Sequence, residues 1–211
     1  MNSLRVVVAD DHGLTLSAVS DSLQVNGLVV EARASSAREA VDAVVKHQPD
    51  ALVIDLDLGP GPTGIHVAAR LRQRFPHLGV VVLSGYADPR LFAPSIPTAP
   101  RGTVYLVKQQ VADVAAVVDA VRASVERAAA GDAASVPAVA LTSSQVAVLD
   151  LVAQGFTNGA IAQRLFISED SVAKSINRIS KRLMISTGPE TNTRGALTSR
   201  YFELVGNRRQ P

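Results

Sequence analysis

Short apolar runs alternate with helical patterns through the first part of the chain. Four runs are rich in valine, leucine and isoleucine, and each is followed by a polar residue: 5–9, 51–54, 79–83 and 103–107. Runs of this length and β-branched content are typical of strands buried on both faces of a parallel sheet. A weaker strand fits 28–33. The order predicts an α/β fold, a doubly wound five-stranded parallel sheet with right-handed crossovers.

The interval between the last two runs interrupts this alternation. A fourth helix is expected there, but Pro94, Pro97 and Pro100 fall within the interval. Because proline inside a helix costs ~3 kcal/mol, the sequence excludes a regular helix and allows at most a short turn at 90–93.

The polar residues that follow the four strong runs predict a phosphoryl site. They are Asp10, Asp11, Asp55, Ser84 and Lys108, and the carboxyl ends of parallel strands meet at one edge of a sheet, where ligands bind. Asp55 would accept the phosphoryl group, and Asp10 and Asp11 would bind Mg²⁺ together with Asp55. Lys108 would neutralise one phosphoryl oxygen and Ser84 would donate a hydrogen bond to another.

Asp57 has two alternative roles. Its backbone carbonyl, two residues after Asp55, is a further candidate ligand for Mg²⁺. The motif 55–57 after an apolar strand also resembles the nucleophile motif of haloacid-dehalogenase-type phosphatases, in which Asp57 would be the general acid or base. That family carries its remaining acidic pair late in the chain, whereas here Asp10 and Asp11 precede all the other residues.

The polar pattern over 1–129 resembles the receiver domain of two-component response regulators. The resemblance implies a flavodoxin-like fold and a phosphorylated aspartate at Asp55, with the acidic pair, the hydroxyl and the lysine at the positions already named. It also implies that Tyr105 is the aromatic residue that changes rotamer with phosphorylation, although a tyrosine simply packed on its strand fits equally well.

Two positions depart from the family pattern. Gln109 stands where the family has proline, so a cis peptide bond is not expected there. The interrupted fourth helix belongs to the family's output surface. A transcription regulator that works without phosphorylation therefore remains an alternative.

A second region of helical periodicity follows an alanine-rich linker. The sequence predicts a receiver domain at 1–129, a linker at 130–140 and a DNA-binding domain at 141–211. Residues 1–140 carry 12 Lys and Arg against 14 Asp and Glu, whereas 141–211 carry 9 against 5. A basic C-terminal domain is a candidate for nucleic-acid binding.

Capping signals divide this second region into helices. Thr142 and Gln145 form a capping box, a short helix is expected at 158–166, and Ser168 begins a longer helix with one apolar and one basic side. A short helix, a tight turn and a longer basic helix are consistent with a helix-turn-helix in a DNA major groove. An ordinary three-helix bundle with a solvated basic face is the alternative.

The string from Leu141 to Val172 resembles the LuxR-type helix-turn-helix, so the whole chain resembles a response regulator of the NarL/FixJ class. The resemblance implies base reading by Lys174, Asn177 and Arg178, and a last helix at 194–204 that pairs subunits. Ser175 stands where the family usually has histidine. The residues implied in DNA binding are Thr157, Asn158, Lys174, Ser175, Asn177, Arg178, Lys181 and Arg182.

The resemblance also implies the partners. They are a sensor histidine kinase, double-stranded DNA and a second copy of the chain, with Mg²⁺ as the cofactor of a regulator that is not an enzyme.

The chain has no cysteine, which excludes disulfides and thiolate metal sites. No apolar stretch approaches the ~18 residues of a membrane span. We therefore expect a cytoplasmic regulator of transcription that is controlled by phosphorylation of Asp55.

Overall fold

The computed structural model describes residues 3–93, 96–111, 113–136, 138–139, 141–185 and 192–205. The chain divides into two compact units. The first comprises Met1–Ser84 with Ile96–Pro137, and the second comprises Gly85–Ser95 with Ala138–Pro211. The second unit thus includes a segment that lies within the predicted receiver domain in sequence. The predicted domain boundaries themselves stay a prediction.

The first unit is built on a five-stranded sheet. Its strands all pair in parallel, in the order β2-β1-β3-β4-β5. The strands are β1 Arg5–Ala9, β2 Val29–Ala34, β3 Ala51–Asp55, β4 Gly79–Ser84 and β5 Val104–Val107, and the helices are α1 Gly13–Val25, α2 Ala37–His47, α3 Gly64–Arg74 and α4 Val114–Ala130. This arrangement confirms the predicted doubly wound α/β fold.

The burial of the strands follows their place in the sheet. β1, β3 and β4 occupy the centre and are buried along nearly their whole length, whereas β2 at one edge is largely half-buried. Valine and leucine side chains of the three central strands pack against α1 and α4 on one face of the sheet. The central strands therefore hold their carboxyl ends in fixed register, which is where the polar residues follow.

The segment between β4 and β5 has little regular structure. Among its described residues, the one helical element is a 3₁₀ turn at Pro89–Leu91, which begins after the side-chain cap of Asp88. This confirms the prediction that the prolines prevent a full helix; Pro94 lies outside the described residues.

A short turn and a capped helix follow β5. Lys108–Gln110 form a 3₁₀ turn, and α4 begins at Val114, where the Asp113 carboxylate caps it by accepting the Ala116 N–H at 3.1 Å. The described residues contain no cis peptide bond, as expected for Gln109.

The linker after α4 runs along the free edge of β5. α4 is followed by Gly131, whose φ of 70° gives the left-handed conformation that favours glycine. Ser135 then donates its N–H to Thr103 O at 2.7 Å and accepts the Tyr105 N–H at 3.0 Å. Ser135 forms a parallel bridge with Val104, so residues 132–136 cover an edge that would otherwise be open.

The described part of the second unit contains four α-helices: α5 Ser143–Ala153, α6 Asn158–Leu165, α7 Glu169–Arg182 and α8 Thr193–Leu204. The capping box of Thr142 and Gln145 is present at the start of α5. Ser168 caps α7 by accepting the Ser171 N–H at 3.1 Å. Val172, Ile176 and Ile179 form the buried side of α7, so the opposite side of α7 faces outward.

Among the described helices, none combines the length and the apolar composition that a bilayer crossing needs.

Candidate functional sites

The sheet register brings the predicted phosphoryl-site residues to one edge. Ala9 pairs with Ile54, so Asp10 and Asp55 follow at the same level on neighbouring strands. Asp55 pairs with Leu83, which places Ser84 one residue further along β4. Lys108 directly follows β5. The structure therefore gathers these residues from four strands, as the sequence predicted.

Lys108 joins the two buried aspartates. Its Nζ lies 2.8 Å from Asp10 Oδ2 and 2.7 Å from Asp55 Oδ2. Asp10 is 2% exposed and Asp55 is 3% exposed. Charges as buried as these need compensation, and one ammonium group shared by two carboxylates supplies it only in part. The site therefore retains a net negative charge.

Asp11 and His12 complete an acidic cluster. One ligand atom from each of Asp10, Asp11, His12 and Asp55 lies within 4.8 Å of the others. His12 contacts Asp11 Oδ1 through Nδ1 at 2.8 Å and donates its backbone N–H to Asp10 Oδ1 at 2.9 Å. Carboxylate oxygens in this number and spacing fit a hard divalent cation. The sequence prediction did not include His12 among the ligand atoms, although its place directly after the acidic pair was the available signal.

Burial raises the pKa of Asp55 from 3.8 to about 6. The Lys108 ammonium opposes this rise, and the neighbouring Asp10 carboxylate adds to it. Asp55 is therefore mainly ionised at neutral pH but more basic than an exposed aspartate. A carboxylate must be ionised to act as a nucleophile, and higher basicity increases its reactivity.

The loop after β3 is tied closely to Asp55. Asp57 donates its backbone N–H to Asp55 Oδ1 at 3.4 Å, and its own Oδ1 accepts the Gly59 N–H at 3.1 Å. A Cβ atom on Gly64, the first residue of α3, would lie 2.2 Å from the Asp55 carbonyl oxygen. Glycine at 64 therefore allows α3 to begin directly against the proposed acceptor. The predicted metal contact of the Asp57 carbonyl stays a prediction.

Ser84 and Tyr105 are both buried in the sheet. Ser84 is fully buried at the end of β4, and Tyr105 is 6% exposed on β5. The Tyr105 backbone N–H is bonded to the linker at Ser135. The two alternatives for the Tyr105 side chain, a rotamer switch or simple packing, both remain compatible with this position.

In the second unit, the outward side of α7 carries most of the predicted DNA-binding residues. Their side chains are exposed except for that of Ser175, which is half-buried. Lys174 Nζ lies 2.6 Å from Asp170 Oδ2, one helical turn earlier. Because this ion pair is exposed on both sides, water and a phosphate or base edge compete with it readily. The exposed residues are Lys174, Asn177, Arg178, Lys181 and Arg182.

Several predicted DNA-binding residues also make contacts within the second unit. Arg182 donates to Gln145 Oε1 at 3.0 Å, and Asn158 Oδ1 accepts from Arg194 at 2.8 Å. The Thr157 side chain caps α6 by accepting the Ala160 N–H at 3.3 Å. Sequence reasoning missed Gln145 and Arg194 as partners, since residues 36 or 37 positions apart give no periodic signal.

Comparison with known proteins agrees with both units. Residues 6–122 match the response regulator receiver domain, and residues 139–190 match the luxR family of bacterial regulatory proteins. The chain is 25% identical over 206 residues to the oxygen regulatory protein NreC of Staphylococcus epidermidis. The aligned region covers 89% of this chain and 94% of NreC. NreC of Staphylococcus carnosus is 27% identical over 209 residues, with the same coverage.

A solved structure of the two-component response regulator RcsB in complex with DNA shares the fold. It covers 97% of this chain and 100% of that chain, with a TM-score of 0.56 and 22% identity. The receiver match alone spans more than half of the present chain. The chain therefore belongs to the response regulator receiver family, and with its luxR-type helix-turn-helix it is a response regulator of the NarL/FixJ class.

Proposed function

We propose that Mg²⁺-dependent phosphorylation of Asp55 by a sensor histidine kinase controls DNA binding by the domain predicted at 141–211 and thereby transcription. The observation that carries this proposal is the shared contact of Lys108 with Asp10 and Asp55 at the carboxyl edge of the sheet. This contact places the proposed nucleophile Asp55, the Lys108 ammonium and the Asp10 carboxylate within one site.

The phosphoryl transfer follows from the positions of the side chains. An Asp55 carboxylate oxygen forms the new bond to phosphorus as the phosphorus–nitrogen bond of the donor phosphohistidine breaks. The electron pair of that bond stays on the imidazole nitrogen, which takes up a proton. Lys108 and Ser84 then hold the oxygens of the transferred group.

The acidic cluster fits the cofactor that such a transfer needs. Asp10, Asp11, Asp55 and the Asp57 backbone carbonyl would hold Mg²⁺, a cation that prefers oxygen ligands and usually retains several waters. The bound ion supplies positive charge against the phosphoryl oxygens.

The second unit would bind DNA in a way that depends on the phosphorylation of Asp55. We assign base reading to Lys174, Asn177 and Arg178 on α7, and phosphate contacts to Lys181 and Thr157. The protein would act as a homodimer paired through α8. The contacts of Asn158 and Arg182 within the unit support a positioning role for them beside any contact with phosphate.

The test is binding of beryllofluoride with Mg²⁺ to the full-length protein. Fluorine NMR should show a bound species that disappears in Asp55→Asn or when Mg²⁺ is chelated. The affinity for a duplex selected from a random library should change about fivefold or more with the analogue, in the range usual for coupled sites. Absence of a bound fluoride species in the wild-type protein would refute phosphoryl acceptance.

One observation favours the alternative of a regulator without phosphoryl control. Between β4 and β5, the described residues form a 3₁₀ turn at Pro89–Leu91 instead of the helix that usually belongs to the output surface. Under this alternative, the affinity for DNA would be the same with and without beryllofluoride, whether or not the analogue binds. The same experiment therefore separates the two functions.

A further inference from the structure

Residues 85–95 pack with the second unit, although in sequence they lie between two strands of the first. The match to the receiver domain runs through this segment. Because prolines exclude a regular helix here, the segment is available for another kind of packing. Its contacts with the second unit are specific and buried.

A buried ion pair forms the main attachment. Asp88 is 1% exposed, and its Oδ2 lies 2.6 Å from Arg90 Nη2 and accepts the Val139 N–H at 2.8 Å. Arg90 also donates to Leu141 O at 2.9 Å and to Val139 O at 3.1 Å. Leu141 directly precedes Thr142, the cap of α5. The pair therefore holds the chain where it enters the first helix of the DNA-binding module.

The segment also contacts the end of α8. Ala87 donates its N–H to the carbonyl of Leu204, the last residue of α8, at 2.9 Å. Such terminal carbonyls have no donor within their own helix. Tyr86 and Phe92 pack edge to face with ring centroids 5.2 Å apart, and Leu91 is 3% exposed. The segment thus joins the first helix of the module to the last.

The covalent connection makes this attachment relevant to phosphorylation. The segment begins directly after Ser84, the buried hydroxyl at the proposed phosphoryl site. Three residue steps lead from Ser84 to Ala87, and a chain of that length spans at most about 11 Å. Only three residue steps therefore separate the hydroxyl at the proposed phosphoryl site from the Ala87–Leu204 contact.

We propose that residues 85–95 are a working part of the DNA-binding module and transmit the phosphorylation state of Asp55 to it, with Asp88 and Arg90 as positioning residues. The inference rests on the proposed acceptance of a phosphoryl group by Asp55. A purely structural clamp would stabilise the module equally with and without the phosphoryl group. A transmitting segment changes its packing when the group binds.

Hydrogen exchange on the wild-type, full-length protein distinguishes these cases. The amides of Ala87 and Val139 should change their exchange rates together, by about tenfold or more, when beryllofluoride and Mg²⁺ are added. Fluorine NMR on the same sample reports whether the analogue is bound. Bound analogue with unchanged exchange at both amides would overturn this inference alone, whereas absence of bound analogue would overturn the proposed function as well.

A variant adds a functional readout. Arg90→Lys keeps a charge for Asp88 but loses the forked contacts to the two carbonyl groups. The ratio of DNA affinities with and without beryllofluoride should fall to within about twofold of one, while the wild-type protein keeps a coupled response. Arg38→Lys, which alters an exposed pair with Asp42 on α2, is the matched control and should keep the wild-type ratio. An unchanged ratio in Arg90→Lys would contradict the proposal.

Discussion

At the scale of single residues, the site combines features that the sequence predicted with features that only folding creates. The order of polar residues after apolar strands was enough to place Asp10, Asp55 and Lys108 together, because parallel strands end at one edge. The sequence contained no signal for the depth of burial of Asp55, which depends on packing by distant elements. That burial raises its pKa.

The raised pKa of Asp55 predicts a pH-dependent stability. The folded protein holds the Asp55 proton more tightly than the unfolded chain, with pKa values of about 6 and 3.8. The resulting stabilisation is therefore complete below about pH 4 and is lost as the pH rises through about 6. Asp55→Asn should raise the free energy of unfolding at pH 7.5 by up to about 3 kcal/mol without Mg²⁺, since one pKa unit corresponds to about 1.4 kcal/mol.

Urea unfolding from pH 4 to pH 8 measures this difference. The advantage of Asp55→Asn over the wild-type protein should shrink towards pH 4. Asp42→Asn removes a carboxylate that is 73% exposed on α2, and its difference from wild type should stay small at every pH. A difference for Asp55→Asn that does not vary with pH would contradict the assigned cause.

Gly64 provides a second prediction at this scale. A Cβ on this residue would meet backbone atoms of Asp55, with its carbonyl oxygen at 2.2 Å, and backbone cannot move aside as a flexible side chain can. Gly64→Ala should lower the free energy of unfolding by about 2–4 kcal/mol and weaken beryllofluoride binding. Chemical denaturation and fluorine NMR measure the two effects.

Gly13→Ala is the matched control for Gly64→Ala. Gly13 is the first residue of α1, as Gly64 is of α3, and its Cβ would meet nothing within 4 Å. Since alanine is the better helix former, this change should leave stability unaltered or raise it by up to ~1 kcal/mol. Equal losses from the two substitutions would show that the close approach at Gly64 is not the cause.

At the scale of elements, local capping signals in the sequence located the starts of α5 and α7. Thr142 with Gln145, and Ser168, cap the helices that they were predicted to cap, because a cap needs only a side chain and the next few backbone amides. Asp113 caps α4 in the same way. Contacts such as Arg182 with Gln145 join separate helices and depend on the tertiary fold, so periodicity did not reveal them.

The exposed side of α7 predicts two different effects on DNA binding. Lys174→Ala should relax the sequence preference, because this residue is assigned to a base edge. Lys181→Ala should weaken binding to all sequences alike and reduce the slope of log affinity against log salt by about one. Fluorescence anisotropy with a selected and a scrambled duplex, at several salt concentrations, separates these effects. Equal losses on both duplexes from both variants would contradict the assignment of Lys174.

At the scale of the whole molecule, the sequence predicted two functional parts but not which residues each compact unit contains. Residues 85–95 join the second unit through an arginine whose partners lie about fifty positions away in sequence. Sequence pattern identifies a helix or a strand from neighbouring residues. It does not identify the surface on which an irregular, proline-rich segment packs.

Phosphorylation is expected to change the association of whole chains. Analytical ultracentrifugation of the full-length protein should show a larger dimer fraction with beryllofluoride and Mg²⁺ than without, since the analogue would favour the state that pairs subunits. Asp55→Asn should sediment identically under both conditions. A dimer fraction in the wild-type protein that is independent of the analogue would place subunit pairing outside phosphoryl control.

The linker along β5 has a consequence for unwanted self-assembly. An uncovered outer strand offers a row of amide and carbonyl groups on which another polypeptide can lengthen a sheet. Here Ser135 occupies those groups at Thr103 and Tyr105. Detaching residues 132–136 would therefore expose a template for aggregation. The linker that connects the two functional parts thus also protects the edge of β5 from pairing with a second copy of the chain.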